Sequence, residues 1–360
     1  MSHTNETVLA ALATVPDPDL GSDLVSLRMV KDVQVHADTI DIAIELTTPA
    51  CPMKDRIRAD IQAAVQAHGD DATTPINVTF TSKVRGGDPT RDVLPGVKHV
   101  IAVGAGKGGV GKSTISTLLA AGLARSGASV GLLDGDIYGP SLGTMLGLDA
   151  MQATAQGNIL DPFVVNGIKV MTIAKLVDPE KAMIWRGPMA HKAFQQLLLQ
   201  TNWGELDYLI VDLPPGTGDV PLSLSQALPL RGSVIVCTPQ KVALDDARRA
   251  VRMFEQLKVP VLGVIENMSW FIDEADGEHD LYGRGGAEHM ATDMQLPFLG
   301  AMPMHTQVRV AGDVGDPAAM VDAHTTVSRA VEHLAGELAR RISIATAATD
   351  TQMPTVSIKG

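Results

Sequence analysis

The sequence predicts an α/β protein: a larger domain built on a mostly parallel sheet flanked by helices, preceded by a small α/β domain. Three observations carry that prediction. From His99 onward, short and almost wholly apolar runs alternate with helical stretches, the texture of buried parallel strands covered on both faces. A glycine-rich turn joins the first of those strands to a helix. Residues 1–85 have a different texture, with one run alternating apolar and polar residues as a half-buried strand does.

Taken in order, a short helix is expected over residues 6–15, ended by Pro16-Asp17-Pro18. Two strand-like runs follow, the second with Ile40, Ile42, Ile44 and Leu46 on one face. Thr48-Pro49-Ala50-Cys51-Pro52 opens a helix whose apolar line is Ile57, Ile61 and Val65, with Gly69 as its stop. Ile76, Val78 and Phe80 alternate as a third strand, and residues 86–98 have linker composition. The strands of the larger domain are expected at 100–103, 129–133, 169–173, 208–211, 233–237 and 261–265. A late helix over about 324–342 carries Val327, Val331, Leu334 and Leu338. The expected organisation is therefore 1–85, a linker at 86–98, a domain at 99–342 and a flexible tail at 343–360.

Composition bounds the function. At about 150 residues per domain, 360 residues give two or three folding units. Apolar residues at 45% supply ample core, and 29 Lys and Arg against 41 Asp and Glu leave a net charge of −12. A general nucleic-acid binder needs a basic face to displace counterions, so this surplus of acid speaks against one. No run reaches the ~18 apolar residues of a membrane span. The opening Met1-Ser2-His3-Thr4-Asn5-Glu6 has neither the basic nor the apolar region of a secretory signal. A cytoplasmic protein is expected, with neither nucleic acid nor membrane as partner. Cys51 and Cys237 are the only cysteines, which excludes a disulfide framework and a local two-cysteine metal clip within one chain.

Gly106-Lys107-Gly108-Gly109-Val110-Gly111-Lys112-Ser113 fits G-x-x-x-x-G-K-S/T, after a strand and opening a helix. The larger domain is thus expected to be a P-loop NTPase domain. Glycines let backbone N–H groups converge on phosphate oxygens, and the helix N-terminus adds partial positive charge. Lys112 would reach the β and γ phosphates, and the Ser113 hydroxyl would ligate Mg²⁺. Lys107 is a second loop lysine: a solvated side chain, or a charge supplied to the transferring phosphate from a partner subunit. Two strand ends bring acids to the same side, Asp134-Gly135-Asp136 and Asp212-Leu213-Pro214-Pro215-Gly216-Thr217-Gly218-Asp219. Asp212 would hold Mg²⁺, through water, and Asp136 would orient the attacking water. Such acids can also simply cap the following turn, Asp134 foremost.

The run from Gly106 to Thr114 resembles the deviant phosphate loop of the MinD/ParA/nitrogenase iron-protein ATPases. Ile184-Trp185-Arg186-Gly187-Pro188-Met189, Trp203-Gly204-Glu205-Leu206-Asp207-Tyr208, the Asp212–Asp219 loop, Thr238-Pro239-Gln240 and Glu266-Asn267-Met268-Ser269 narrow this. Together they resemble the Mrp/ApbC iron–sulfur cluster carrier branch over about 98–340. The first domain, through Leu46-Thr47-Thr48-Pro49-Ala50-Cys51-Pro52-Met53, is similar to the small Fe–S-assembly domain that often precedes it. The resemblance implies a homodimer that sandwiches two ATP molecules, hydrolyses them slowly and passes Fe–S clusters to apoproteins. It implies partners among apo Fe–S proteins and Fe–S assembly factors, and ATP with Mg²⁺ as cofactors. Gly106, Lys107, Gly108, Gly109, Val110, Gly111, Lys112, Ser113 and Thr114 would hold the phosphates. Asn267 matches the family's adenine contact, although an Asn after a strand also reads as a turn former.

Two departures from the family matter. Most members carry a cluster-holding CxxC before the Gly-x-Gly-Gly turn; here Asp273 and Asp276 occupy those positions. Carboxylates suit hard cations or solvent, not clusters, so Asp273, Asp276 and His279 either hold a single metal ion or form a solvated hairpin. His305 stands where the family pattern usually has Asp. Cys51 remains as the candidate Fe–S ligand, two copies per dimer. A helix start with Lys54 and Arg56 beside it would lower its pKa toward thiolate; a buried structural cysteine is the other reading. Cys237, ending an apolar strand, reads as core. Two alternatives to the carrier stand beside it: an ATP-gated scaffold in Fe–S assembly without its own cluster, and a ParA/MinD-like positioning ATPase. The charge of −12 and the mixed signs of Arg329, Glu332, Glu337, Arg340 and Arg341 speak against the second.

Overall fold

Alternation decides the first unit, and continuous apolar runs decide the second. The computed structural model describes residues 4–68, 74–86, 93–175 and 187–352. The Ile184-Trp185-Arg186 part of one motif, residues 87–92 of the expected linker and residues 353–360 of the expected tail lie outside the described residues. The chain divides into two units: residues Met1–Arg85 with Ala339–Gly360, and Gly86–Leu338.

In the first unit, α1 (Asn5–Leu12) begins at Thr4, whose Oγ1 accepts the Thr7 N–H while Thr7 Oγ1 accepts the Thr4 N–H. Strands β1 (Val30–Val35) and β2 (Ile40–Leu46) pair antiparallel, α2 (Lys54–Ala67) follows, and β3 (Ile76–Ser82) joins β2 in parallel. Every second residue of β2 is buried. Those residues pack in one core with Ile57, Ile61 and Val65 of α2, as the period-2 and period-4 patterns require.

The second unit runs β4 (Val97–Gly104), α3 (Lys112–Arg125), β5 (Val130–Asp134) and α4 (Leu142–Met145). A small ribbon of β6 (Ala155–Gln156) and β7 (Ile159–Leu160) precedes β8 (Phe163–Val165) and β9 (Ile168–Met171). Then come α5 (Gly187–Gln200), β10 (Leu206–Asp212), α6 (Asp219–Ala227), β11 (Leu230–Cys237) and α7 (Lys241–Gln256). The remainder is β12 (Val261–Ile272), β13 (Glu278–His279), α8 (Gly286–Asp293), β14 (Phe298–His305), α9 (Thr306–Val314), α10 (Pro317–Val321) and α11 (Thr325–Gln352). The sheet order is β13-β12-β11-β4-β10-β5-β9-β8, with β14 on β12. Its pairings are parallel except at β13 and β8, where hairpins close the edges. The architecture is the expected mostly parallel sheet flanked by helices.

Two regions differ from expectation. Strand β14 escapes the sequence because Gly300 and Pro303 read as breakers. Proline is tolerated there because β14 pairs only with β12 among the described strands, so its missing N–H breaks no second ladder. The expected tail corrects as well: α11 continues through Gln352, ten residues beyond Ile342, and from Ala339 it groups with the first unit. Ala345, Ala347 and Ala348 favour helix, and Thr346 is buried, with its Oγ1 donating to Ile342 O at 2.8 Å. No helix among the described residues is long and apolar enough to cross a membrane.

Candidate nucleotide site

Parallel pairing brings the chemistry together. Register places Asp212 of β10 between Val103 of β4 and Asp134 of β5, at the strand ends beside the phosphate loop. The loop is held from two sides. A Cβ on Gly106 would lie 2.1 Å from Asp246 O in α7, so backbone contact there requires glycine. Gly111 has φ +77°, and a Cβ on it would lie 2.2 Å from Asn267 Nδ2. That amide donates to Val110 O at 2.8 Å, tying β12 to the loop. Asn267 therefore lies inside a strand rather than forming a turn after one.

Asp212 is completely buried, and its acceptors are filled by the loop helix. Oδ1 lies 2.7 Å from Lys112 Nζ and accepts the Ser116 hydroxyl at 2.7 Å; Oδ2 accepts the Ser113 hydroxyl at 2.6 Å. Asp134, also fully buried, caps the following turn: Oδ1 accepts the Asp136 N–H, and Oδ2 accepts the Leu142 N–H and the Thr172 hydroxyl. Burial, reinforced by the neighbouring Asp212 charge, pushes its pKa up to about 7. Asp136 is half-buried at the same strand end, its carboxyl raised by burial, with Lys112 opposing; its Oδ1 accepts the Gly139 N–H at 3.2 Å. Lys107 is half-exposed on the loop and has no hydrogen-bond or ion-pair partner among the described residues.

Beside Thr114 and Asn267 opens a cavity of about 460 Å³ walled by Met145, Met268, Met302, Met304 and Met320, with His305 at its side. Met268 takes φ +57° within β12, where the β14 register shifts between Asn267 and Phe271. Left-handed backbone in a non-glycine strand residue re-aims the chain at the cavity wall. Nothing in the scattered methionines of the sequence signals this wall; only the Glu266-Asn267-Met268 motif marks one edge of it.

The 270–285 segment is a hairpin, with Phe271 facing His279 and Ile272 facing Glu278. Asp273 folds the turn by accepting the Ala275 and Gly277 N–H groups on Oδ1 and pairs through Oδ2 with His279 Nε2 at 2.5 Å. Asp276 instead pairs with His324 at 3.0 Å. Among the described residues no three His, Cys, Asp or Glu side chains could hold a metal ion, which corrects the single-ion reading of Asp273, Asp276 and His279. Sequence reasoning placed Glu266 in a motif and gave it no role of its own. Fully buried, it accepts the Ser269 hydroxyl at 2.5 Å and the Gly285 and Ala287 N–H groups at 2.9 and 2.8 Å, fastening both ends of the hairpin.

Cys51 corrects the expected thiolate. Helix α2 starts only at Lys54, and Cys51 is half-buried near Asp17, Asp19, Thr48 and Arg340. Burial raises its pKa, and Asp19 and Asp17 raise it further, against a hydrogen bond from Met53 and the charge of Arg340. The cations meant to lower it are engaged elsewhere: Lys54 lies over the Phe80 ring at 5.4 Å, and Arg56 faces Asp60 at 3.7 Å. Cys237 is core as expected, its thiol pushed up to about 12 by burial.

Residues 96–339 match the family described as NUBPL iron-transfer P-loop NTPase. The chain belongs to that family. Residues 5–78 match a second family, described as iron–sulfur cluster assembly protein. A relative from Deinococcus radiodurans named iron–sulfur cluster carrier protein is 47% identical over 345 residues, covering 95% of this chain and 97% of its own length. The Escherichia coli K12 protein of the same name is 38% identical, covering 93% and 91%. Among solved structures, a nucleotide-binding protein from Archaeoglobus fulgidus, in complex with ADP, is 37% identical. It superposes with a TM-score of 0.56 over 62% of this chain and 89% of that one. The cell division ATPase MinD of Pyrococcus furiosus shares the fold, with a TM-score of 0.50 at 21% identity over 66% and 97% of the two chains.

Proposed function

We propose that this chain binds and hydrolyses ATP and carries Fe–S clusters to apoproteins, working as a homodimer that encloses two nucleotides. The buried Lys112–Asp212–Ser113–Ser116 cluster at the phosphate loop carries the reading, and the names of relatives that span nearly the whole chain support the cargo. Phosphate at the loop would compete with Asp212 for Lys112 Nζ, so nucleotide binding would be felt directly at the β10 strand end. Ser113 Oγ and Asp212 Oδ2, 2.6 Å apart, are the hard oxygen donors that suit Mg²⁺ and would hold it, the carboxylate through water. Bound there, Mg²⁺ would neutralise charge developing on the β and γ oxygens. Asp136 would orient the attacking water, and Lys107 would bring its free ammonium to the phosphates of the partner protomer. Asn267 and the methionine-walled cavity would hold the base, while the backbone of 106–114 cradles the phosphates. Apo Fe–S proteins and Fe–S assembly factors in the cytoplasm are the partners this reading requires.

The cargo would sit on Cys51 of the first unit, one sulfur from each protomer, each thiol giving up its proton on binding iron. A second reading draws on Asp273, Asp276 and Cys51 together: both carboxylates are paired with imidazoles, and the Cys51 thiol is raised. It is an ATP-gated scaffold in Fe–S assembly that holds no cluster itself. Anaerobic reconstitution with iron and sulfide, beside a Cys51→Ala variant, separates the two. The carrier reading expects a stoichiometric cluster per dimer that the variant lacks; no cluster in either protein selects the scaffold.

A further inference from the structure

The cavity beside the phosphate loop carries one imidazole whose proton position its neighbours fix. His305 Nδ1 accepts the Gln307 N–H at 3.2 Å, so the neutral ring carries its hydrogen on Nε2. Among the described residues that Nε2–H has no partner. The ring stacks on His324, with centroids 5.1 Å apart and planes inclined by 29°. His324 is oriented in the same way: Nδ1 accepts the Thr326 N–H at 3.1 Å, and Nε2–H donates to Asp276 Oδ1 at 3.0 Å. Asp276 sits at the hairpin turn, exposed and with φ +62°. A continuous line of contacts therefore runs from the hairpin turn to the cavity wall.

Burial first, and the neighbouring imidazole second, favour the neutral form of His305. Burial lowers its pKa, His324 lowers it further and Asp276 opposes both. Of the other charged groups lining the cavity, Arg309 and Asp313 are paired with each other at 2.5 Å. Near pH 7 the ring is uncharged and presents an N–H.

We propose that His305 donates its Nε2–H to an acceptor atom of the bound nucleotide, a base ring nitrogen or a ribose oxygen, and that Asp276 positions this donor through His324. The proposal rests on the nucleotide reading above. Its consequence is linkage: whatever engages the hairpin alters nucleotide affinity, and nucleotide alters the affinity for that partner by the same factor.

The test is titration of the full chain with ATP and Mg²⁺ by calorimetry. Asp276→Gly, which accepts the positive φ, should weaken binding by about five- to tenfold. Asp276→Asn should restore it, because the amide oxygen accepts the same bond and Asn tolerates the left-handed backbone. Glu278→Gln removes a charge from the same hairpin without touching His324 and should bind as wild type does. In a His305→Ala background, Asp276→Gly should cause no further loss. As a measurement without variants, the His305 Nε2–H resonance should shift on adding ATP. Wild-type affinity in Asp276→Gly, equal weakening in Glu278→Gln, or fully additive losses with His305→Ala would overturn the linkage while leaving nucleotide binding intact. A wild-type chain that binds no ATP would overturn both readings.

Discussion

At the phosphate loop, Asp212 is fully buried and both its oxygens are engaged by Lys112, Ser113 and Ser116. In the 270–285 hairpin, Asp273 and Asp276 lie at or near the surface, each paired with one imidazole. The same side chain thus serves two purposes under different solvation. Inside, an unpaired charge is so costly that the partners must be present together, and the cluster is fixed as a unit. Outside, water competes for every contact, an ion pair contributes little stability, and its geometry is free to respond to a ligand or partner.

The contrast can be broken most severely by removing a loop charge. Lys112→Ala and Lys107→Ala should each lower ATP turnover by about 10³-fold or more, measured as steady-state phosphate release. Only Lys112→Ala should also weaken nucleotide binding to the monomer; equal loss of binding in both would remove the role of Lys107 across a dimer. Next in size is a stability effect. Asp212→Ala strands a buried ammonium and should destabilise the fold by about 3–5 kcal/mol, whereas Asp276→Gly should leave the thermal midpoint nearly unchanged. Comparable melting shifts in the two variants would dissolve the contrast between buried and exposed carboxylates.

The smallest effect sharpens it through pH. Asp134 is raised from 3.8 to about 7 in the folded chain, so the folded state binds more protons than the unfolded one across that window. Its stabilising contribution is complete below the unfolded pKa and is lost as pH rises through about 7. Asp134→Asn should therefore flatten the decline in stability between mildly acidic and neutral pH, read from denaturant midpoints. An unchanged slope would mean that Asp134 titrates normally despite its burial.

The loop, its lysines and the strand-end acids were legible because each rests on local chemistry. Gly106 and Gly111 are fixed by backbone approach and φ, and the apolar runs of β4, β5, β10 and β11 announce strands buried on both faces. The hairpin was legible only in outline, since nothing near Asp276 in sequence names His324 as its partner. Strand β14 was hidden by Gly300 and Pro303, and the role of Glu266 by partners at Gly285 and Ala287, 19 and 21 positions away.

Sequence by itself determined the two-part α/β architecture, the family and the phosphate loop, because periodicity, glycine conformation and motif spacing act over a few residues. Tertiary structure decided the rest. Asn267 reaches Val110 across 157 positions and His324 reaches Asp276 across 48. Cys51 is raised instead of lowered because burial and the carboxylates of Asp19 and Asp17 outweigh the Met53 hydrogen bond and the charge of Arg340, while the cations beside it in sequence face other groups. Solvation and charge are summed over neighbours in space, and a thiol or a carboxylate takes its character from them.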